Sequence, residues 1–259
     1  MGYVFDFKEA RNYDDWYENP QNRFVGDLEE QIMLRLLNPV RGERVLDIGC
    51  GTGRHLSMFF GRGLDITGLD ASPHMLEVAR KRLAHRADLH QGLAEDLPFE
   101  DNSFNIATLV TTLEFVDDTE KALMEACRVA KDRIFLGVLN RYSAKAVERR
   151  VGGIFSESVF NRARFFSVWG LKHHVREILG KTPVRWGTVH HLPAGFRRYT
   201  QYIEQSSLTH KSPFGTFIGM VVTLLPRYQT KNIPIEYARK PRETAPGLMQ
   251  TPTHSSQGD

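Results

Sequence analysis

The 259-residue sequence predicts an α/β fold, a seven-stranded, mostly parallel and doubly wound sheet with helices on both faces. Three observations predict it. Between residues 26 and 140, short apolar runs alternate with segments whose apolar residues recur at helical spacing, the pattern of strands linked by crossover helices. The first such run leads directly into a glycine-rich turn, DIGCGTG, at positions 47–53. Two further strand-like runs, VRWGTVHHLP and GTFIGMVVTLL, follow a final amphipathic helix and can pair with each other.

In chain order, Leu28, Ile32 and Leu36 stand at helical spacing, and Asn38-Pro39 stops that helix before the strand RVLDI. Leu56, Phe59 and Phe60 give a short apolar face ended by Gly61 and Gly63, and DITGLD follows as a second strand. Met75, Ala79 and Leu83 mark the next helix, LHQGL a short third strand, and FNIATLVTTLEF a longer fourth strand after a turn containing Pro98. Helix DTEKALMEACRVAKD and strand RIFLGVLN complete the regular repeat. Beyond Asn140 the rhythm breaks, and residues 141–166 read as an inserted helical lid after strand five. The helix SVWGLKHHVREILG, with Leu171, Val175 and Ile178 on one face, resumes the order. The organisation expected is one domain over residues 1–243, with residues 1–27 as an N-terminal lid and residues 244–259, rich in Pro, Ser, Thr and Gly, as a disordered tail.

Composition narrows the class. Apolar residues make up 41% and charged residues 25%, the balance of a globular domain rather than of a fibrous or disordered chain. Cys50 and Cys127 cannot build a disulfide framework, and neither sits in a zinc-ligand pattern, so no metal is expected and a reducing compartment fits. The N-terminus has no basic start followed by an apolar run, which directs the expectation to the cytoplasm. The longest apolar run, Phe214–Leu225, is well short of the ~20 residues of a spanning helix, so no transmembrane segment is expected.

The glycine turn carries the chemistry. Gly49, Gly51 and Gly53 let the backbone turn tightly and approach a ligand, and the helix that follows offers N–H groups to an anion. A nicotinamide fingerprint would need glycine at position 54, which is Arg, and a phosphate loop would need GKS or GKT. Asp47 has the charge to face an ammonium group, and Asp70, about twenty residues beyond the loop at a strand end, can accept hydrogen bonds from both hydroxyls of a ribose.

Together VLDIGCGTGRHL, GLDASPHMLEVAR and QGLAEDLPFEDNSFNIATLVTTLEFV resemble, in order and spacing, the class I S-adenosylmethionine-dependent methyltransferases, especially the ubiquinone- and menaquinone-biosynthesis type. The resemblance covers residues 40–140 firmly and implies a Rossmann-like fold and S-adenosylmethionine as cofactor, with S-adenosylhomocysteine as product. It further implies methionine contacts from Asp47, Gly49 and Gly51 in a loop shared with Cys50 and Gly53, ribose contacts from Asp70, and adenine packing by Ala71, Ser72 and Met75. Leu93, Ala94 and Glu95 would flank the adenine edge, and Thr111 would lie where the strand-four end faces the transferred methyl. Leu93 stands where many members carry Asp or Asn, and Asn105 where Asp is usual; the second exchange reads as structural.

Candidates for a catalytic role are Glu114, either orienting the acceptor or bonding backbone, Tyr17 in the YDDWY segment of the lid, and His190 or His191 as a base titrating near neutrality. Neither pair of adjacent histidines forms a chelate, because neighbours on a helix or strand diverge. From Arg141 to Tyr199 twelve Lys or Arg stand against three Glu, a net +9 in a chain of net +3. That stretch fits an anionic small molecule, an acidic protein, a phosphate backbone or simply a solvated face. Strand four ends without the motifs of base methylation, so a small-molecule acceptor is expected ahead of nucleic acid; the alternatives are an RNA or protein methyltransferase or a non-catalytic cofactor-binding adaptor.

Overall fold

A computed structural model describes residues 3–7, 9–10, 15, 17, 19–143, 163–190 and 211–224. Helix α1 spans Pro20–Leu37, starting six residues earlier than its apolar spacing indicated, with proline in the first turn where its missing N–H is harmless. Asn38 ends it in the left-handed conformation (φ 47°). The order then runs β1 Arg44–Ile48, α2 Arg54–Phe60, β2 Asp65–Asp70, α3 Pro73–Leu83, β3 Asp88–Gln91, β4 Phe104–Val110, α4 Thr119–Val129, β5 Ala130–Leu139, α5 Val168–Leu179, β6 Val184–Val189 and β7 Phe217–Thr223.

The seven strands form one sheet in the order β3-β2-β1-β4-β5-β7-β6. All pairs from β3 to β5 are parallel, and β7 runs antiparallel to both β5 and β6. The strand order reverses direction at β1 and β4, the switch point beside which open α/β sheets bind ligands. Leu28, Ile32, Met33, Leu56, Phe59 and Leu76 pack against one face of the sheet. Leu123, Ala126, Leu171 and Val175, from α4 and α5, pack against the other.

Three elements depart from their sequence patterns. β4 stops at Val110 instead of running to Phe115, because Thr111 turns to a positive φ of 52°. β5 begins at Ala130, where helix α4 gives way directly to strand and Ala130 pairs with Phe104 across a bulge. Phe60 lies outside the core, exposed, with the Arg86 guanidinium 5.5 Å from its ring centroid. Asn105 fills the structural role expected of it: its Oδ1 accepts the Arg44 amide at 3.0 Å and its Nδ2 donates to Asp132 Oδ2 at 2.8 Å.

Candidate functional site

The turn after β1 is built by backbone conformations that favour glycine. Gly49, Gly51 and Gly53 have φ of 73°, 52° and 76°. A Cβ on Gly49 would stand 2.6 Å from Thr112 Cγ2, and one on Gly53 2.8 Å from Leu83 Cδ1, so both glycines are also required by packing. Gly51 differs: its nearest neighbour would be Met75 Sδ at 4.0 Å, leaving open space over the loop where another molecule can approach the backbone. Arg82, from the last turn of α3, donates to the Thr52 carbonyl and hydroxyl at 2.9 Å each and pins the loop from behind.

Asp47 lies on β1 with 1% of its surface exposed. Its Oδ1 accepts the Thr108 hydroxyl at 2.6 Å from the neighbouring strand, while Oδ2 is buried without a hydrogen-bond partner among the described residues. Burial pushes the carboxyl up to about 7, the Thr108 hydrogen bond works against this, and the charge of Asp70 adds to it. A buried carboxylate oxygen with no partner is costly unless a cation or donor completes it. Asp70, at the end of β2, is better satisfied: Gly51 N and Ser72 N each donate to one of its oxygens at 2.8 Å. Burial raises its pKa, and these two donors act against the rise. Each oxygen keeps a further lone pair for a hydroxyl. Open backbone at Gly51, a cation-seeking oxygen on Asp47 and an acceptor pair on Asp70 form a donor–acceptor set that fits an amino-acid end joined to a ribose.

The remaining predicted residues fall around this centre. Cys50 is buried, and burial pushes its thiol well above the usual range, so it is an unreactive part of the loop wall. Ser72 caps α3 by accepting Met75 N at 3.3 Å, and Met75 is buried below the loop. Ala71 is half-buried and its carbonyl accepts Gln91 Nε2 at 3.3 Å. Ala94 is buried and Leu93 is 40% exposed. Glu95 is committed locally, its Oε1 accepting Asp117 N at 2.9 Å and so joining the loop after β3 to the loop after β4. Thr111 sits at the end of β4 in a backbone region costly for a β-branched residue, and such strain concentrates at functional sites.

The catalytic candidates do not converge. Glu114 is buried, its Oε1 accepts Leu139 N at 2.6 Å, and its Oε2 lacks a partner among the described residues. Burial pushes it up to about 8, so it bears a proton at neutral pH. Tyr17 places its ring 4.6 Å from the Arg54 guanidinium and its hydroxyl 3.4 Å from Glu29 Oε2. His190 Nε2 lies 3.0 Å from the Val25 carbonyl, an acceptor, so this nitrogen carries hydrogen and ties β6 to α1. His191 lies outside the described residues, as do Tyr13 and Trp16, most of the 141–166 segment and the 244–259 tail. Among the described residues no group of three His, Cys, Asp or Glu could hold a metal ion, and no helix is long and apolar enough to cross a membrane.

Several contacts around the site were not specified by the sequence, among them those of residues 3–7 within the expected N-terminal lid. Tyr3 N donates to the Phe115 carbonyl at 3.0 Å and Ser72 Oγ donates to the Phe5 carbonyl at 2.6 Å. The Phe5 ring meets Phe115 edge-on at 5.1 Å, and Phe7 meets His74 at 5.9 Å. Residues 3–7 therefore bridge from the loop after β4 to the loop after β2, which flank the glycine turn of β1. Thr112, whose hydroxyl donates to the Ile48 carbonyl at 2.9 Å, fills the space above Gly49. In the basic stretch, Arg164 donates to Thr119 Oγ1, Arg141 to the Phe165 carbonyl and Arg185 to the Leu36 carbonyl, so these three charges serve the fold.

Residues 46–136 match a family model described as a methyltransferase domain. An uncharacterized protein of Methanocaldococcus jannaschii is 36% identical over 143 residues, which cover 54% of this chain and 63% of that one. A demethylmenaquinone methyltransferase of Clavibacter sepedonicus is 40% identical over 99 residues, covering 38% and 40%. The chain thus spans less than two thirds of the length of these curated relatives. Among solved structures, a Thermotoga maritima protein described as a SAM-dependent methyltransferase, possible histamine N-methyltransferase, superposes with a TM-score of 0.66 at 27% identity, covering 84% of this chain and 96% of that one.

Proposed function

We propose that the chain is a class I S-adenosylmethionine-dependent methyltransferase that transfers a methyl group from that cofactor to a small-molecule acceptor, a reading supported by the methyltransferase-domain match over residues 46–136 and by the Thermotoga maritima structure. The observation that carries the reading is the buried, unpartnered Oδ2 of Asp47 beside the open backbone of Gly51. When bound, the cofactor supplies a methyl carbon on a sulfonium centre, open to in-line displacement.

On this reading Asp47 holds the ammonium group, Gly49 and Gly51 admit the methionine end, with Cys50 and Gly53 shaping the loop, and Asp70 takes the ribose hydroxyls. Ala71, Ser72, Met75, Leu93, Ala94 and Glu95 line the adenosine side, and Thr111 stands on the side of the transferred methyl. Residues 3–7, bridging the two loops, keep water away from the transfer. No strong base is assigned: Glu114 holds its own proton, and His190 Nε2 is committed to a backbone carbonyl. The work of the protein is alignment of acceptor, carbon and sulfur.

A small acceptor is supported by the demethylmenaquinone methyltransferase among the relatives and by the description of the Thermotoga maritima structure as a possible histamine N-methyltransferase. With only two cysteines, Cys50 and Cys127, the chain fits a reducing compartment such as the cytoplasm. The experiment is a screen of quinols, phenols and amines with S-adenosylmethionine, read by S-adenosylhomocysteine release. Turnover with a small acceptor is the expected result. Turnover only with RNA or protein, or cofactor binding without turnover on any acceptor, would replace the reading by one of its rivals.

A further inference from the structure

We propose that Thr108 is a positioning residue for the cofactor: its hydroxyl, donating to Oδ1 of Asp47, fixes the carboxylate so that Oδ2 alone faces the ammonium group. The inference rests on the proposed cofactor reading and assigns a determinant of affinity to a strand residue outside the glycine loop.

Thr108 on β4 stands directly across from Asp47 on β1 in the parallel register, and it is wholly buried. Its Oγ1 is 2.6 Å from Asp47 Oδ1 and 3.5 Å from the Leu46 carbonyl. A hydroxyl has one hydrogen, and the short, charge-assisted contact is the one that takes it. The carboxylate then cannot swing without breaking that bond, and Oδ2 is left as the one oxygen without a hydrogen-bond partner among the described residues. The titratable groups bearing on Asp47 are Asp70, at the end of β2, and the Cys50 thiol in the loop; among the described residues no basic side chain acts on it. Asp70 already receives two amide donors, so it does not share a proton-donating partner with Asp47. Among the described residues Thr108 is thus the sole side-chain donor that favours the charged form of Asp47, the form an ammonium group needs. A threonine in a strand reads in sequence as ordinary β-branched filling; here the hydroxyl, not the branch, is what matters.

The test compares the full-length wild type with Thr108→Val and Thr108→Ser, using S-adenosylhomocysteine as the calorimetric probe from pH 5.5 to 9. The wild type should lose affinity as pH falls below about 7, approaching tenfold per pH unit for one linked proton. Thr108→Val should bind about fivefold more weakly at pH 7, approaching tenfold at lower pH, shift that fall upward by about one pH unit and converge with the wild type near pH 9. Thr108→Ser should restore the wild-type profile. An unshifted profile in Thr108→Val, or a loss equal at every pH, would overturn the proposal, since a packing defect alone has no reason to follow pH. Titration of the Asp47 carboxyl carbon by NMR in the ligand-free proteins reads the same bond independently: its midpoint should rise in Thr108→Val, and an unmoved midpoint contradicts the assignment. Failure of the wild type to bind at any pH would instead bring down the cofactor reading itself. Should Thr108→Val not fold, Thr108→Ala gives the same comparison.

Discussion

At the carboxyl ends of β1, β2 and β4 the chain leaves polar and backbone groups incomplete, whereas on the same edge of the sheet, around β5, β6 and the start of β7, it closes them on one another. On the first side stand Gly49, Gly51, Gly53 and Thr111 at positive φ, and Asp47 with a buried oxygen that no described residue satisfies. On the second side, Asn140 donates to the Pro213 and Gly215 carbonyls at 2.7 Å each and accepts Tyr142 N at 3.1 Å. His190 also stands at positive φ (64°), but Thr216 donates twice to its carbonyl and its Nε2 donates to the Val25 carbonyl. A protein tolerates strained or unpaired groups only where the surroundings impose them, and a ligand is the usual reason. The incomplete side is the one to which cofactor binding is assigned; the closed side is scaffold.

The largest effect should come from Gly49→Ala. The substitution combines a left-handed backbone with a clash against Thr112, so binding of S-adenosylhomocysteine should vanish from calorimetry and the melting temperature should fall. A control away from the site, Gly180→Ala at the C-terminus of α5, has a similar φ of 72° but open space around it. That change should cost about 1–3 kcal/mol in denaturant melts and leave binding intact.

Next in size is Asp47→Asn, which should weaken S-adenosylhomocysteine about 100-fold at pH 8, in line with a lost charge-assisted hydrogen bond worth ~1.5–3 kcal/mol. The same change should stabilise the ligand-free protein. The folded carboxyl titrates near 7 against an ordinary value of 3.8, so its favourable contribution is full below about pH 4 and is lost as pH rises through about 7. Denaturant melts should therefore show the wild type losing stability across that window and Asp47→Asn losing less.

The smallest effect on binding belongs to Asn140→Ala. Removing its amide leaves two carbonyls and one N–H without their partner, which should lower stability by ~2 kcal/mol while the affinity for S-adenosylhomocysteine stays unchanged. A matching loss of affinity would show that the two sides are coupled rather than separate.

Much of the incomplete side was legible in the sequence, because glycines at fixed spacing and acids at strand ends have few alternative uses. DIGCGTG, Asp70 and the AEDLPF turn fell where the strands place them. The strap of residues 3–7 was not legible as such, since its anchors are the backbone carbonyls of Phe5 and Phe115, which any side chain would provide. Thr108 escaped for the opposite reason, its hydroxyl being hidden behind the strand preference of its branch. Glu114 was left between two readings that only the meeting of β4 and β5 could separate, through its bond to Leu139 N. The end of β4 was misplaced because Thr111 and Thr112 favour strands, and the positive φ that stops the strand comes from tertiary context.

Calorimetric titration of the wild type with S-adenosylhomocysteine at pH 6.5, in two buffers of different ionisation enthalpy, tests the account most directly. Binding should release part of a proton as Asp47 gives up its hydrogen to meet the ammonium group, so the observed heats should differ between the buffers in proportion. No binding, or binding with identical heats in both, would contradict the assignment of Asp47 and the glycine turn to the cofactor.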